Sequence, residues 1–193
     1  MDIQHVNVKL LIQNPEDVDL EPVIPVFHRW IQDRACEELL LDVADYRHVP
    51  AGPGVVLIGN EANYSVDNAD NRLGVRYNRK APLDGSLQDR LEQAARAAIG
   101  ACQRLEDDPQ LKGSIRYNRR ELELFINDRL LAPNSNRTRE TLEPEIRALC
   151  QRLFRGVEYS LRHEQSDPRK LFSVSIRTEK AFQPNELFEN LSI

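Results

Sequence analysis

Hydrophobic positions along the chain change their period several times, and each change marks an element. Residues 3–12 are rich in Val, Ile and Leu, as in a strand buried on both faces. Asn14-Pro15 breaks the run. Val23, Ile24, Phe27, Trp30 and Ile31 recur at helical spacing and predict a helix over 20–33. Pro22 and Pro25 fit its first turn, where a backbone N–H is not needed. A strand is expected over 39–46, then the turn-rich loop Val49-Pro50-Ala51-Gly52-Pro53-Gly54. Another strand begins at 55–58 and is read as continuing through Asn60 to Val66. The polar run Asp67-Asn68-Ala69-Asp70-Asn71 reads as a hairpin loop, with 73–77 as the returning strand.

The clearest helix spans 86–106. Leu87, Leu91, Ala94, Ala95, Ala98, Ile99, Cys102 and Leu105 lie on one face of a 3.6-residue period. Asp84 or Ser86 can cap it, and Pro109 lies just beyond its end. Ala94, Ala95, Ala98 and Gly100 allow a close neighbour. Ile115 and Tyr117 then begin a strand in odd register, while Leu122, Leu124 and Ile126 continue in even register. That switch requires a turn or bulge near 118–120, because a slip of one residue exchanges faces. Leu142, Ile146, Leu149, Cys150, Leu153 and Phe154 predict a third helix over 138–154. Residues 157–161 and 171–176 read as strands around Ser166-Asp167-Pro168.

The fold class that follows is α+β, with three main helices packed on a mostly antiparallel sheet. The hairpins over 55–77 and 157–176 argue against a doubly wound parallel sheet. One domain is expected over 1–180. Within it, 3–66 and 121–178 each read as strand, helix, strand ending in Arg-His, Pro-containing turn and strand; the pairs are Arg47-His48 and Arg162-His163. They are candidates for two related βαββ units joined by a central βαβ stretch. The strands of that stretch share Arg-Tyr-Asn-Arg at 76–79 and 116–119, an identity too short to establish duplication. The tail, 181–193, lacks a clear period but carries Phe182, Leu187, Phe188, Leu191 and Ile193. A tail this apolar packs on its own domain or docks on a partner or second copy.

Composition narrows the function classes. Apolar residues make up 40% of the 193, and 26 basic against 31 acidic side chains leave a net charge of −5. This excludes charge-driven disorder and a broadly basic nucleic-acid coat. No stretch approaches the ~18 apolar residues of a membrane span, and Met1-Asp2-Ile3-Gln4-His5 has no secretory pattern. A soluble, cytoplasmic protein without a membrane partner is expected. The 3 cysteines are widely spaced, and the histidines show no ligand spacing, so no metal or other cofactor is expected. Cys102 and Cys150 lie on apolar helix faces and behave there as small hydrophobes. The charge itself is uneven. Residues 1–70 hold 4 basic and 13 acidic side chains, and residues 71–193 hold 22 and 18, or −9 against +4. If the two stretches form different faces, the molecule is a dipole.

Three groups of residues carry candidate chemistry. Asp45 and His48 could form an acid–base pair if the strand turns there, because a carboxylate orienting a histidine is general-base geometry. No nucleophile is placed beside them. A pocket next to them would involve Tyr46, Gly59, Asn60, Glu61 and Tyr64, since Gly59 in an apolar strand suggests a bulge or a close approach. Gly52-Pro53-Gly54 precedes a strand, lacks the Gly-Lys-Ser/Thr of a phosphate loop, and reads as a turn. Arg76, Arg79, Arg116 and Arg119 flank tyrosines, a combination used on single-stranded nucleic acid. The acidic balance and 6% aromatic content weigh against that use.

The first expectation is therefore a non-enzymatic binding or scaffolding protein that self-associates and engages a protein partner, with Phe182, Leu187, Phe188 and Leu191 as partner-binding residues. The alternative is a small-molecule enzyme using Asp45 and His48, and a weak single-stranded nucleic-acid binder comes third. The residues lean against an enzyme.

Overall fold

Val6, Val8 and Leu10 turn to one face of the first strand, β1 (Val6–Ile12), and Asn7, Lys9 and Leu11 to the other; both sets are buried. The computed structural model describes residues 1–111, 113–165 and 167–191. Within them β1 leads to α1 (Val23–Asp33), then to a meander of β2 (Leu40–Tyr46), β3 (Gly54–Gly59), β4 (Ala62–Asp67) and β5 (Gly74–Arg79). Next come α2 (Leu87–Glu106), β6 (Tyr117–Ile126), α3 (Asn136–Phe154), β7 (Tyr159–His163), β8 (Phe172–Thr178) and α4 (Pro184–Asn190). The strands form one 8-stranded sheet in the order β2-β3-β4-β5-β1-β6-β8-β7, antiparallel at every step. Four helices on an antiparallel sheet make the α+β class.

The helices cover the face that carries Val8, Leu10, Leu57, Tyr64, Val75, Tyr77, Leu124 and Val174. α2 lies over β1 and β5, and α1 over β2 and β3. Ser86 caps α2, its hydroxyl accepting from Asp89 N–H while the Asp89 carboxylate accepts from Ser86 N–H. This reciprocal capping box holds the first turn. Ala94, Ala95 and Ala98 are buried beneath α2, where a small side chain lets the helix approach the strands closely.

Two expectations change in detail, and a third holds. Residues 55–66 are not one strand: the chain reverses at Asn60-Glu61 into β4. A Cβ on Gly59 would lie 2.5 Å from the Ala62 carbonyl oxygen, so the hairpin needs glycine there. The first meander consequently has four strands where the second, β7–β8, has two. In both, the last strand of the meander pairs with the strand that precedes the helix, β5 with β1 and β8 with β6. The tail is also more ordered than its pattern suggested. It forms α4, which packs on α2 and α3 and buries Phe182, Leu187 and Leu191. The switch of parity in β6 is real: Leu10 pairs with Leu122 but Ile12 with Tyr117, leaving the extra residues in β6. Ser166 and the last two tail residues lie outside the described residues.

Candidate functional site

The face of the sheet opposite the helices is polar. Strand registers align one row across all eight strands: Ala44, Val56, Ser65, Arg76, Lys9, Glu123, Ser175 and Arg162. At its centre Lys9 Nζ meets Asp67 Oδ1 at 2.6 Å, with side chains only 1% and 5% exposed. The Lys9 stem crosses Gly74, where a Cβ would stand 2.9 Å from Lys9 Cε. Burial pulls the Lys9 pKa down, and the Asp67 carboxylate opposes that shift. Arg76 approaches the same carboxylate at 3.8 Å and lies 4.6 Å over the Phe125 ring. With its amide oxygen toward Arg76, Asn7 accepts from Nη2 at 2.9 Å and donates to Asn78 at 2.8 Å. A buried polar group is tolerated when partnered in this way.

Beside this strip the face opens into a groove of about 510 Å³. Ser160, Ser173 and Ser175 line it together with Glu121, Glu123, Arg162 and Arg177 from β6, β7 and β8. Arg72, in the connection between β4 and β5, reaches across β1 to form the opposite wall. Its Nη2 binds Glu121 at 2.8 Å and its Nη1 binds Glu123 at 2.5 Å. Asp70 of the same connection is bridged at 2.7 Å by Lys170, which stands just before β8. Burial raises the Glu123 pKa, and the Arg72 guanidinium acts in the opposite direction. The wall therefore consists of paired charges; Arg162 and Arg177 are exposed, and Arg162 lies 3.9 Å from Glu164, which also lines the groove. Serine hydroxyls both donate and accept, so this groove suits a ligand with both kinds of polar group.

The residues singled out by sequence are distributed differently. Asp45 is bound by Arg47, with Nε at 3.0 Å and Nη2 at 2.9 Å. That pairing holds the Asp45 pKa down at about 2. No hydrogen bond joins Asp45 to His48 among the described residues; the His48 ring lies 6.5 Å from that of Tyr46, at the exposed end of β2. Gly59, Asn60 and Glu61 form the β3–β4 hairpin tip, where Glu61 accepts from Leu39 N–H at 3.2 Å and Lys80 donates to the Gly59 carbonyl at 2.5 Å. Tyr64 points away from them, into the helix layer. There its hydroxyl donates to Glu38 at 2.7 Å, and Tyr77 donates to the same carboxylate at 2.9 Å. A cavity of about 100 Å³ adjoins this cluster, also lined by Cys36, Gln93 and Arg104. Burial pushes the Cys36 thiol up to about 11, which leaves it a poor nucleophile.

The four arginines do not share a surface. Arg76 lies on the open face. Arg79 is on the helix side, donating to the carbonyls of Ala81 and Pro82, and Arg119 binds Glu106 of α2 at 2.5 Å. Arg116 is exposed just before β6. In the tail, Phe188 is 36% exposed and covers Arg96 of α2, while Phe182, Leu187 and Leu191 face inward.

The groove residues were passed over at the sequence level. A signal for them exists: Glu121 and Glu123, and likewise Ser173, Ser175 and Arg177, alternate with core residues, as the polar side of a half-buried strand does. Lys9 interrupts an apolar run in the same way. No protein-family model matches the chain, and comparison with curated proteins and with solved structures gives no match.

Proposed function

We propose that this protein is a non-enzymatic binding module that holds an extended, polar segment of a partner protein on the helix-free face of its sheet. The observation that carries this reading is the groove roofed on one side by Arg72 and floored by three serines. Its polar residues recur at two-residue intervals along β8 and β7: Ser173, Ser175 and Arg177, then Ser160 and Arg162. Side chains on one face of an extended peptide repeat at about the same spacing, roughly 6.7 Å. Exposed Arg162 and Arg177 select carboxylates on that segment, and the fixed Glu121 and Glu123 favour cations near the other wall. The ionisable groups in the groove are held in ion pairs or are exposed, and Asp45 is occupied by Arg47. Both points support binding over catalysis.

The test is a comparison of wild type with Ser175→Trp, which fills the groove floor. Native mass spectrometry of protein purified gently from its own cells is expected to give a wild-type complex that contains a second polypeptide. The Trp variant should lose that polypeptide while keeping its thermal midpoint. A bare wild-type chain, or equal retention by the variant, contradicts the reading.

A further inference from the structure

The sheet has two unpaired edges, and they differ in character. β2 and its flank carry Glu37, Glu38, Asp42 and Asp45 without a basic residue before Arg47. β7 itself carries Arg162 and His163 and no acid, while Glu158 and Glu164 flank it and Arg162 lies 3.9 Å from Glu164. This contrast continues inward. The strand order sets β2, β3 and β4 of the acidic first stretch toward one end and β6, β8 and β7 of the basic later stretch toward the other, with β5 and β1 interleaved at the centre. Exposed apolar side chains also gather at the edges. Leu39, Leu41 and Tyr46 are 62%, 54% and 42% exposed on or beside β2. Leu130 and Leu131, 99% and 50% exposed, stand in the loop leading to Pro133, which bridges to Leu171 at the start of β8. That loop is tied to the end of β7, because Asn134 binds the His163 ring at 2.7 Å and the Glu164 carbonyl at 3.0 Å.

We propose that copies of this protein add edge to edge, β7 of one copy pairing antiparallel with β2 of the next, with Arg162 opposite Asp42 of that copy. Direction comes first. An even number of antiparallel strands gives the two edges opposite senses, so a copy added head to tail continues the alternation. In that arrangement the His163 end of β7 meets the Leu40 end of β2, which brings Leu130 and Leu131 toward Leu39 and Leu41.

Register follows from the two faces. Leu161 pairs with core Ile176 and Val43 with core Leu57, so both lie on the helix side. Arg162 and Asp42 lie on the open side, opposite Ser175 and Ile58 respectively. A sheet continued without exchanging faces must match open with open. Arg162 opposite Asp42 then sets Leu161 against Val43 and Ser160 against Ala44. A shift of two residues would place Glu164 against Asp42 and Leu161 against Asp45, which is unfavourable at both positions. Pairing β2 with a second β2 would gather the acids of both copies. The bulge between Leu40 and Asp42, the shortness of β7 and the edge charges are devices that discourage indiscriminate pairing. Here they leave one complementary combination. Arg162 and Ser160 also line the groove, so the test reads self-association of the purified chain with no partner present.

Charge reversal tests it on the full chain. Light scattering at low salt is expected to show wild-type mass rising with concentration above that of one chain. Asp42→Arg and Arg162→Asp should each raise the apparent dissociation constant by at least roughly tenfold, about 1.4 kcal/mol. An equimolar mixture of the two variants should associate again, because each then offers the edge the other lacks. A second measurement covers the case of a variant that folds poorly. Asp42→Cys mixed with Arg162→Cys should form a disulfide between the two chains, since paired strands set Cα atoms about 5 Å apart. A wild type that stays monomeric at all concentrations overturns the proposal. So does association that stops at two copies with cross-linking of Asp42→Cys to itself, or a mixture of reversed variants that fails to associate.

Discussion

Lys9 is a buried cation on the open face, 1% exposed and paired with Asp67. Its ammonium is enclosed with the Asp67 carboxylate, and neither group has water to fall back on. Removing one partner of such a pair strands the other charge, at a cost of about 3–5 kcal/mol. Lys9→Met is expected to destabilise by an amount near the lower end, because Arg76 still faces Asp67 at 3.8 Å. The double variant Lys9→Met/Asp67→Leu should recover most of the loss, since apolar replacement of both partners is often close to neutral. Urea denaturation of the three proteins checks this; equal losses in the single and double variants would contradict it. At the exposed edge the electrostatics are gentler. Hydrogen bonds from Arg47 hold the Asp45 carboxyl down at about 2, below the ordinary aspartate value of 3.8. A lowered carboxyl pKa means a pairing fully present above the unfolded value and lost as pH falls through the folded one. The Asp45–Arg47 pair should therefore persist above pH 4 and break near pH 2. Side-chain NMR titration should show the shift, and Arg47→Ala should return Asp45 toward 3.8.

Among the elements, the connection between β4 and β5 does the most to shape the groove. Arg72 is its one link to both Glu121 and Glu123. Arg72→Ala leaves two mostly buried carboxylates without their cation. A loss of about 1–3 kcal/mol is expected, with the groove wall loosened. Thermal unfolding checks the first, and hydrogen exchange at residues 68–72 the second; an unchanged midpoint would contradict the role given to Arg72. Elements were largely readable from the sequence where their signals are local. The α2 face from Leu91 to Leu105 is buried as its spacing requires, and Ser86 caps as its position suggests. The irregularity in β6 followed from the parity of Tyr117 and Leu122 alone. The turn at Asn60-Glu61 was missed because a two-residue reversal between apolar strands leaves little trace in hydrophobic spacing. α4 was signalled only by the helical spacing of Leu187, Phe188 and Leu191, because its seven residues are too few for a long period to develop. The groove wall was illegible for a different reason. Arg72 and Glu123 are joined by sheet order, which no local pattern encodes.

Over the whole molecule, the order β2-β3-β4-β5-β1-β6-β8-β7 puts strands of the first 70 residues at one edge and strands of the later stretch at the other, with β5 and β1 interleaved between them. The split of charge between residues 1–70 and 71–193 was visible from counting; that it runs from one edge of the sheet to the other needed the topology. The same order sets the helices on one face and leaves the other to polar side chains. Among the described residues no helix is long and apolar enough to cross a membrane. The two faces thus differ: α1, α2, α3 and α4 cover the core on one, and the other carries the groove proposed to hold the partner. Photo-crosslinking tests that division most directly. A benzophenone amino acid is placed at Ser160, in the groove, and separately at half-buried Glu145 on α3. The account predicts a polypeptide cross-linked from position 160 and absent from 145. Cross-linking from neither position, or equally from both, would contradict it.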